Sequence, residues 1–157
     1  MLSLRSNLAL KDLSQGSRIA FIRYHRGMTQ HEVADMLGVK HDNKRRIMTR
    51  YEKGQRNPKE DRTREIAKIL NVSYSSIKQY DFKDINDIFY ILMWMEELIP
   101  NYVIDVSKVT RVDEYYIDVV KKSLEEWTDM RIKILKKEIS YEDYIEWKLN
   151  YEIKDEL

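Results

Sequence analysis

Apolar residues recur at steps of three and four through most of the chain, the period of helices packed by one face. In the first half the repeats are Ile19 and Ile22; Val33, Ala34 and Leu37; Met48 and Tyr51; Ile66, Ala67 and Leu70; and then Ile77. Stop and start signals separate them. Ser14 or Ser17 can cap the first helix and Gly27 ends it. Thr29 with Glu32 forms a capping box for the second, which Gly38 ends. A third helix covers Lys44 to Arg50. Asn57 and Pro58 read as N-cap and first residue of a fourth, which carries Lys59 to Leu70 and closes at Asn71. Ser73 caps a short fifth helix.

The second half opens with a helix from Asp84, its N-cap, to Pro100, its stop, whose stripe is Ile85, Ile88, Phe89, Leu92, Met95 and Ile99. Ile91, Met93, Trp94 and Leu98 widen the stripe to most of the circumference, so the helix must be covered on more than one side. A second copy of the chain or the chain's own later helices could supply that cover. Tyr102 to Val112 fits a short strand or hairpin as well as a loop. A long helix, about Glu114 to Lys136, places Ile117, Val120, Leu124, Trp127 and Ile134 on a coiled-coil-like seam broken at Arg131. Ile88, Leu92, Met95, Ile99, Leu124 and Trp127 are the expected dimerisation residues. Ser140 and Asp143 form a capping box for a last helix whose inward face is Tyr141, Tyr144, Ile145 and Leu149. The expected fold is mainly α: five helices, then a helical dimerisation domain with room for a short β-hairpin.

Charge divides the chain where the pattern does not. Net charge is only +1, but residues 1–80 hold 17 Lys/Arg against 8 Asp/Glu, and residues 81–157 hold 11 against 19. A balance of +9 suits a phosphate backbone, and a balance of −8 would be repelled by it. The expected domains are therefore 1–80, with residues 1–13 as an arm packed by Leu2, Leu4, Leu8 and Leu10, and 81–157. The arm, broken by Arg5, Lys11 and Asp12, reads as neither signal peptide nor membrane span. With no cysteine there are no disulfides or thiolate metal sites, which fits a reducing cytoplasm.

The basic third helix carries the chemistry. Met48 and Tyr51 turn inward, leaving Lys44, Arg45, Arg46, Thr49 and Arg50 outward. The run from Arg18 to Ser73, with RIAFIR, GMTQ, LGV, RYEKGQRNP and IAKILNVS in order, resembles the Cro-repressor-like (XRE) helix-turn-helix family over roughly Ser17 to Tyr80. The resemblance implies a DNA-binding domain in which Arg23 late in the first helix pairs with Glu52 after the recognition helix, and Gln30 holds a phosphate. The chain departs from the family at KHDNK (Lys40 to Lys44), about four residues longer than usual. Counted back from Tyr51, the base readers are Arg45, Arg46 and Arg50, with Thr49 beside them; counted from Val39, His41, Asn43 and Lys44 take their place. Lys44, Lys53, Arg56 and Asn57 join Gln30 as phosphate contacts. The closing stretch KKEISYEDYIEWKLNYE resembles short C-terminal oligomerisation segments built as two helices folded back on each other.

Catalysis finds no support in the residues. His25, His31 and His41 lack metal-ligand spacing, neighbouring acids such as Glu125 and Glu126 point apart on a helix, and no glycine-rich phosphate loop exists. No catalytic residue, metal or cofactor is expected. Two readings remain, each with double-stranded DNA as a partner and no membrane. One is a cytoplasmic, sequence-specific regulator, a repressor acting as a homodimer on a palindromic operator in a bacterial or phage-infected cell. In the other, a phage or mobile-element protein regulates its own promoter while its acidic half inhibits a host protein, as an antitoxin or anti-defence inhibitor.

Overall fold

The structure is a computed structural model that describes residues 10–40, 44–99 and 114–153, without the side chains of 44, 45 and 114–119. Every regular element among the described residues is a helix: α1 (Gln15–His25), α2 (Gln30–Met36), α3 (Lys44–Glu52), α4 (Glu60–Leu70), α5 (Tyr74–Ile77), α6 (Ile85–Leu98), α7 (Glu114–Leu135) and α8 (Tyr141–Asn150). The strand-or-loop alternative for Tyr102 to Val112 lies outside the described residues, as do Leu2, Leu4 and Leu8 of the arm and the contact candidates His41 and Asn43.

Local chemistry sets most helix ends. Ser14 is the cap of α1, its Oγ accepting from the Ser17 amide, while the Ser17 hydroxyl accepts from the amides of Lys11 and Asp12 and ties down the chain before the helix. Thr29 and Glu32 make the full reciprocal box at α2. Five helices, α1 to α4 and α7, close with one device, in which an amide two or three residues past the end reaches back to a carbonyl five residues earlier. The pivot sits at positive φ each time: Gly27, Gly38, Gly54, Asn71 and Lys137. Only α4 starts elsewhere than expected, with Lys59 as N-cap and Glu60 as first residue. Pro58 is buried just ahead of it.

Arginines fasten the helices by their exposed carbonyl ends. Arg26 from α1 donates to the Leu70 and Asn71 carbonyls at the end of α4, and Arg62 from α4 donates to the Leu37 carbonyl at the end of α2. Inside, Ile19, Ile22, Val33, Ala34, Met48, Ile66, Leu70 and Ile77 are buried. Gly16 lets α1 touch the end of α3: a Cβ there would lie 2.2 Å from the Tyr51 carbonyl oxygen.

A buried arginine holds the next element. Arg18 donates to the carbonyls of Leu13, Ser76 and Lys78, and its guanidinium lies 3.9 Å from the centre of the Tyr80 ring. The Ser76 carbonyl also accepts from the Trp94 indole of α6 at 3.2 Å. Phe21 meets Trp94 edge-on, Tyr90 stacks on Tyr80, and the Tyr90 hydroxyl lies 2.7 Å from the Ser73 hydroxyl. Asp87, fully buried, pairs with Lys78 and accepts from the amides of Asp81 and Phe82. Helix α6 is thereby part of the first compact unit, which runs to Asn101, whereas charge places the division at Tyr80. Charge reports the outer surface; the unit is set by the apolar and buried polar face of α6.

The second compact unit begins at Tyr102. There α7 and α8 fold back on each other across a turn capped by the Ser140–Asp143 box. Trp127 donates to the Tyr144 hydroxyl at 2.6 Å, and Leu124, Ile145, Leu149, Tyr151 and Ile153 are buried. Leu124 and Trp127, read from sequence as dimer contacts, are thus already covered in a single chain. A seam pattern marks a face that needs cover, and the return helix α8 answers that need for Trp127.

Candidate nucleic-acid interface

Helix α3 presents its outer side at positions 46, 49 and 50, opposite the buried Met48 and Tyr51. Arg46 and Arg50 are exposed, as are Lys53 and Arg56 in the turn that follows. None of the four has a carboxylate partner among the described residues. Each cation is therefore available to an external anion. The helix is described from Lys44, the last residue of the KHDNK stretch; the side chains of Lys44 and Arg45 lie outside the described ones. The turn is fixed by the Arg50 carbonyl, which accepts from the amides of Gln55 and Arg56.

Behind this face runs a polar network that joins three helices. Arg23 of α1 forks onto the Glu52 carboxylate, Nε to Oε1 at 2.5 Å and one terminal nitrogen to Oε2 at 2.9 Å, and gives its other terminal nitrogen to the Met28 carbonyl. Both side chains of the pair are more than nine-tenths buried. Burial is the largest single influence and works against the Arg23 charge, but the hydrogen bond and charge of Glu52, with a smaller contribution from Tyr24, together outweigh it and raise the pKa. Gln30, at the start of α2, donates to Glu52 Oε2 at 2.7 Å and accepts from the Thr49 hydroxyl at 2.8 Å.

The site residues read from sequence thus fall into three groups. Arg46, Arg50, Lys53 and Arg56 stand free on the surface. Gln30 and Thr49, expected from sequence as a phosphate contact and a base reader, are bonded to each other, and Arg23 and Glu52 lie beneath them. Asn57 is exposed and donates to the Gln79 side chain at 3.3 Å. Sequence reading missed Gly16 and Arg18, whose roles depend on residues 35 or more positions away. The remaining cues are weak: His31 pairs with Asp35 on the surface of α2, and no cluster of His, Cys, Asp or Glu that could hold a metal occurs among the described residues. No helix among them is long and apolar enough to cross a membrane.

No curated protein and no solved structure matches the chain. Residues 16–80 do match a family model, described as a helix-turn-helix domain. That segment spans α1 to α5 and holds the Arg23–Glu52 pair, the Gln30–Thr49 contact and the cationic face of α3. Residues 16–80 are a helix-turn-helix domain of the XRE type, a DNA-binding domain.

Proposed function

We propose that the protein is a sequence-specific transcriptional repressor that binds a palindromic operator as a homodimer. The observation that carries the reading is the row of unpaired cations, Arg46, Arg50, Lys53 and Arg56, on and just after a helix braced by a buried ion pair. Arginine can take both acceptors of a guanine edge, so Arg46 and Arg50, and Arg45 with them, are assigned to bases. Lys44, Lys53, Arg56, Gln30 and Asn57 are assigned to the phosphate backbone, which sets register without reading sequence.

Helix α6 supports the dimer. It buries Phe89, Tyr90, Met93 and Trp94 and leaves Ile88 and Ile99 more than two-fifths exposed, with Leu92 and Met95 partly exposed between them. All four fall on the side opposite the buried one. Two such faces can meet without opposing like charges. The alternative, inhibition of a host protein by the acidic half, calls for aromatic rings on an open acidic surface; Trp127, Tyr144 and Tyr151 are buried, and we place it second.

The test compares the full chain with Leu92→Glu on DNA from the gene's own upstream region and on random duplex, at two salt concentrations. Preference for the upstream DNA, affinity falling steeply with salt, and a monomeric variant that loses the preference support the reading. Equal binding to both duplexes overturns it.

A further inference from the structure

The Gln30 amide has a donating and an accepting end, and its surroundings decide which faces where. The Glu52 carboxylate can only accept, so the nitrogen must face it, at 2.7 Å from Oε2. The oxygen then faces the Thr49 hydroxyl, which has to donate, at 2.8 Å. Glu52 is itself held by Arg23. With both ends fixed the amide cannot flip, and of its two N–H groups one is taken by Glu52. The other has no acceptor among the described residues, and Gln30 is half-exposed beside the cationic face.

We propose that Thr49 is a positioning residue, not a base reader: its hydroxyl locks the Gln30 amide so that the second N–H is presented to one phosphate of bound DNA. This rests on the DNA-binding reading above and refines it. It also narrows the base-reading set on α3 to arginines. A threonine hydroxyl committed to Gln30 Oε1 has no proton left for a base acceptor, whereas the exposed Arg46 and Arg50 keep all of theirs. The second amide proton would otherwise sample two orientations, only one of them productive, and the lock removes that cost before DNA arrives.

Two variants separate the hydroxyl from the shape. Thr49→Val keeps the branched outline and deletes the donor; Thr49→Ser keeps the donor. In the free protein, Thr49→Val should speed exchange of the Gln30 side-chain amide protons severalfold, and Thr49→Ser should leave it slow. On DNA, Thr49→Val should weaken binding to upstream and random duplex by the same factor, roughly three- to tenfold, with base preferences unchanged. Replacing phosphates one at a time by neutral methylphosphonate then locates the contact: wild type and Thr49→Ser lose affinity at one position where Thr49→Val and Gln30→Ala lose none. An altered preference at one base pair, with the phosphate profile of wild type, would make Thr49 a base reader and overturn the proposal. Unchanged amide exchange in Thr49→Val overturns it without reference to DNA. Failure of the wild type to bind any duplex would instead remove the reading on which it rests.

Discussion

The pair at the centre of the domain has a cost that single substitutions expose. Arg23 and Glu52 are both taken out of water, so each is stable only because the other is present. Glu52→Ala leaves a buried guanidinium unpaired and also frees Gln30, and should cost roughly 3–5 kcal/mol. The double variant Arg23→Met/Glu52→Leu, which removes both charges and keeps the volume, should lose much less. Chemical denaturation of the two checks this, and a double variant as unstable as the single one would show that charge is not the issue. Gly16 acts through space alone. Its missing Cβ is what lets the end of α3 lie against α1, and Gly16→Ala forces a methyl into two backbone carbonyls. The expected loss is about 1–3 kcal/mol, with DNA affinity falling further than stability because the displaced element is α3. The ion pair was legible because a family pattern names both of its ends. Gly16 and Arg18 were not, since Gly16 answers to residues 35 and 36 positions on and Arg18 to carbonyls 58 and 60 positions on, and nothing next to either in sequence marks it.

Helix ends were the most readable elements, because their chemistry is settled within four residues. Both capping boxes, Thr29–Glu32 and Ser140–Asp143, stand where the sequence puts them. The exception is instructive: Asn57 and Pro58 have the right residue types for a helix start, but α4 begins at Glu60. There Thr63, itself the acceptor for Gln15 of α1, returns its hydroxyl to the Lys59 carbonyl. A tertiary contact has taken over a local signal. The boxes also carry a pH dependence. The Thr29 amide and hydroxyl hold Glu32 below its ordinary 4.5, and the Ser140 hydroxyl and amide hold Asp143 below its ordinary 3.8. Depressed folded-state values mean that this stability is complete above those ordinary values and is lost as pH falls through them toward the folded ones. Thermal melts between about pH 6 and pH 2 should therefore fall more steeply for wild type than for Thr29→Val/Ser140→Ala. Parallel curves would assign the acid sensitivity to other carboxylates.

The whole chain divides differently by charge and by packing, and the difference lies in α6. Residues 81 to 101 carry Asp81, Asp84, Asp87, Glu96 and Glu97 against Lys83 alone, which joins them by composition to the acidic half. Asp87, however, is buried and paired with Lys78 of the basic half, and Phe89, Tyr90, Met93 and Trp94 are buried with it. One unlike pair across the supposed border outweighs the sum on either side. A chain cut at Tyr80 would keep every residue of the helix-turn-helix match and lose this cover, uncovering Phe21 and Tyr80 and leaving Lys78 without Asp87. Each of the four apolar side chains contributes roughly 1.5–3 kcal/mol by burial, so the loss is comparable with the ~5–15 kcal/mol that stabilises a typical domain. Residues 1–101 should therefore unfold in one cooperative transition, and residues 1–80 should unfold at much lower urea with a shallower slope, having less surface to expose. Equal midpoints would mean that α6 adds nothing to the domain and that its aromatic face serves some other surface. A large difference would make α6 the fixed bridge between the DNA-binding domain and any partner that meets Ile88, Leu92, Met95 and Ile99. Its inner face leaves it no freedom to turn, so the angle at which two recognition helices face DNA would be set by the packing of that outer stripe.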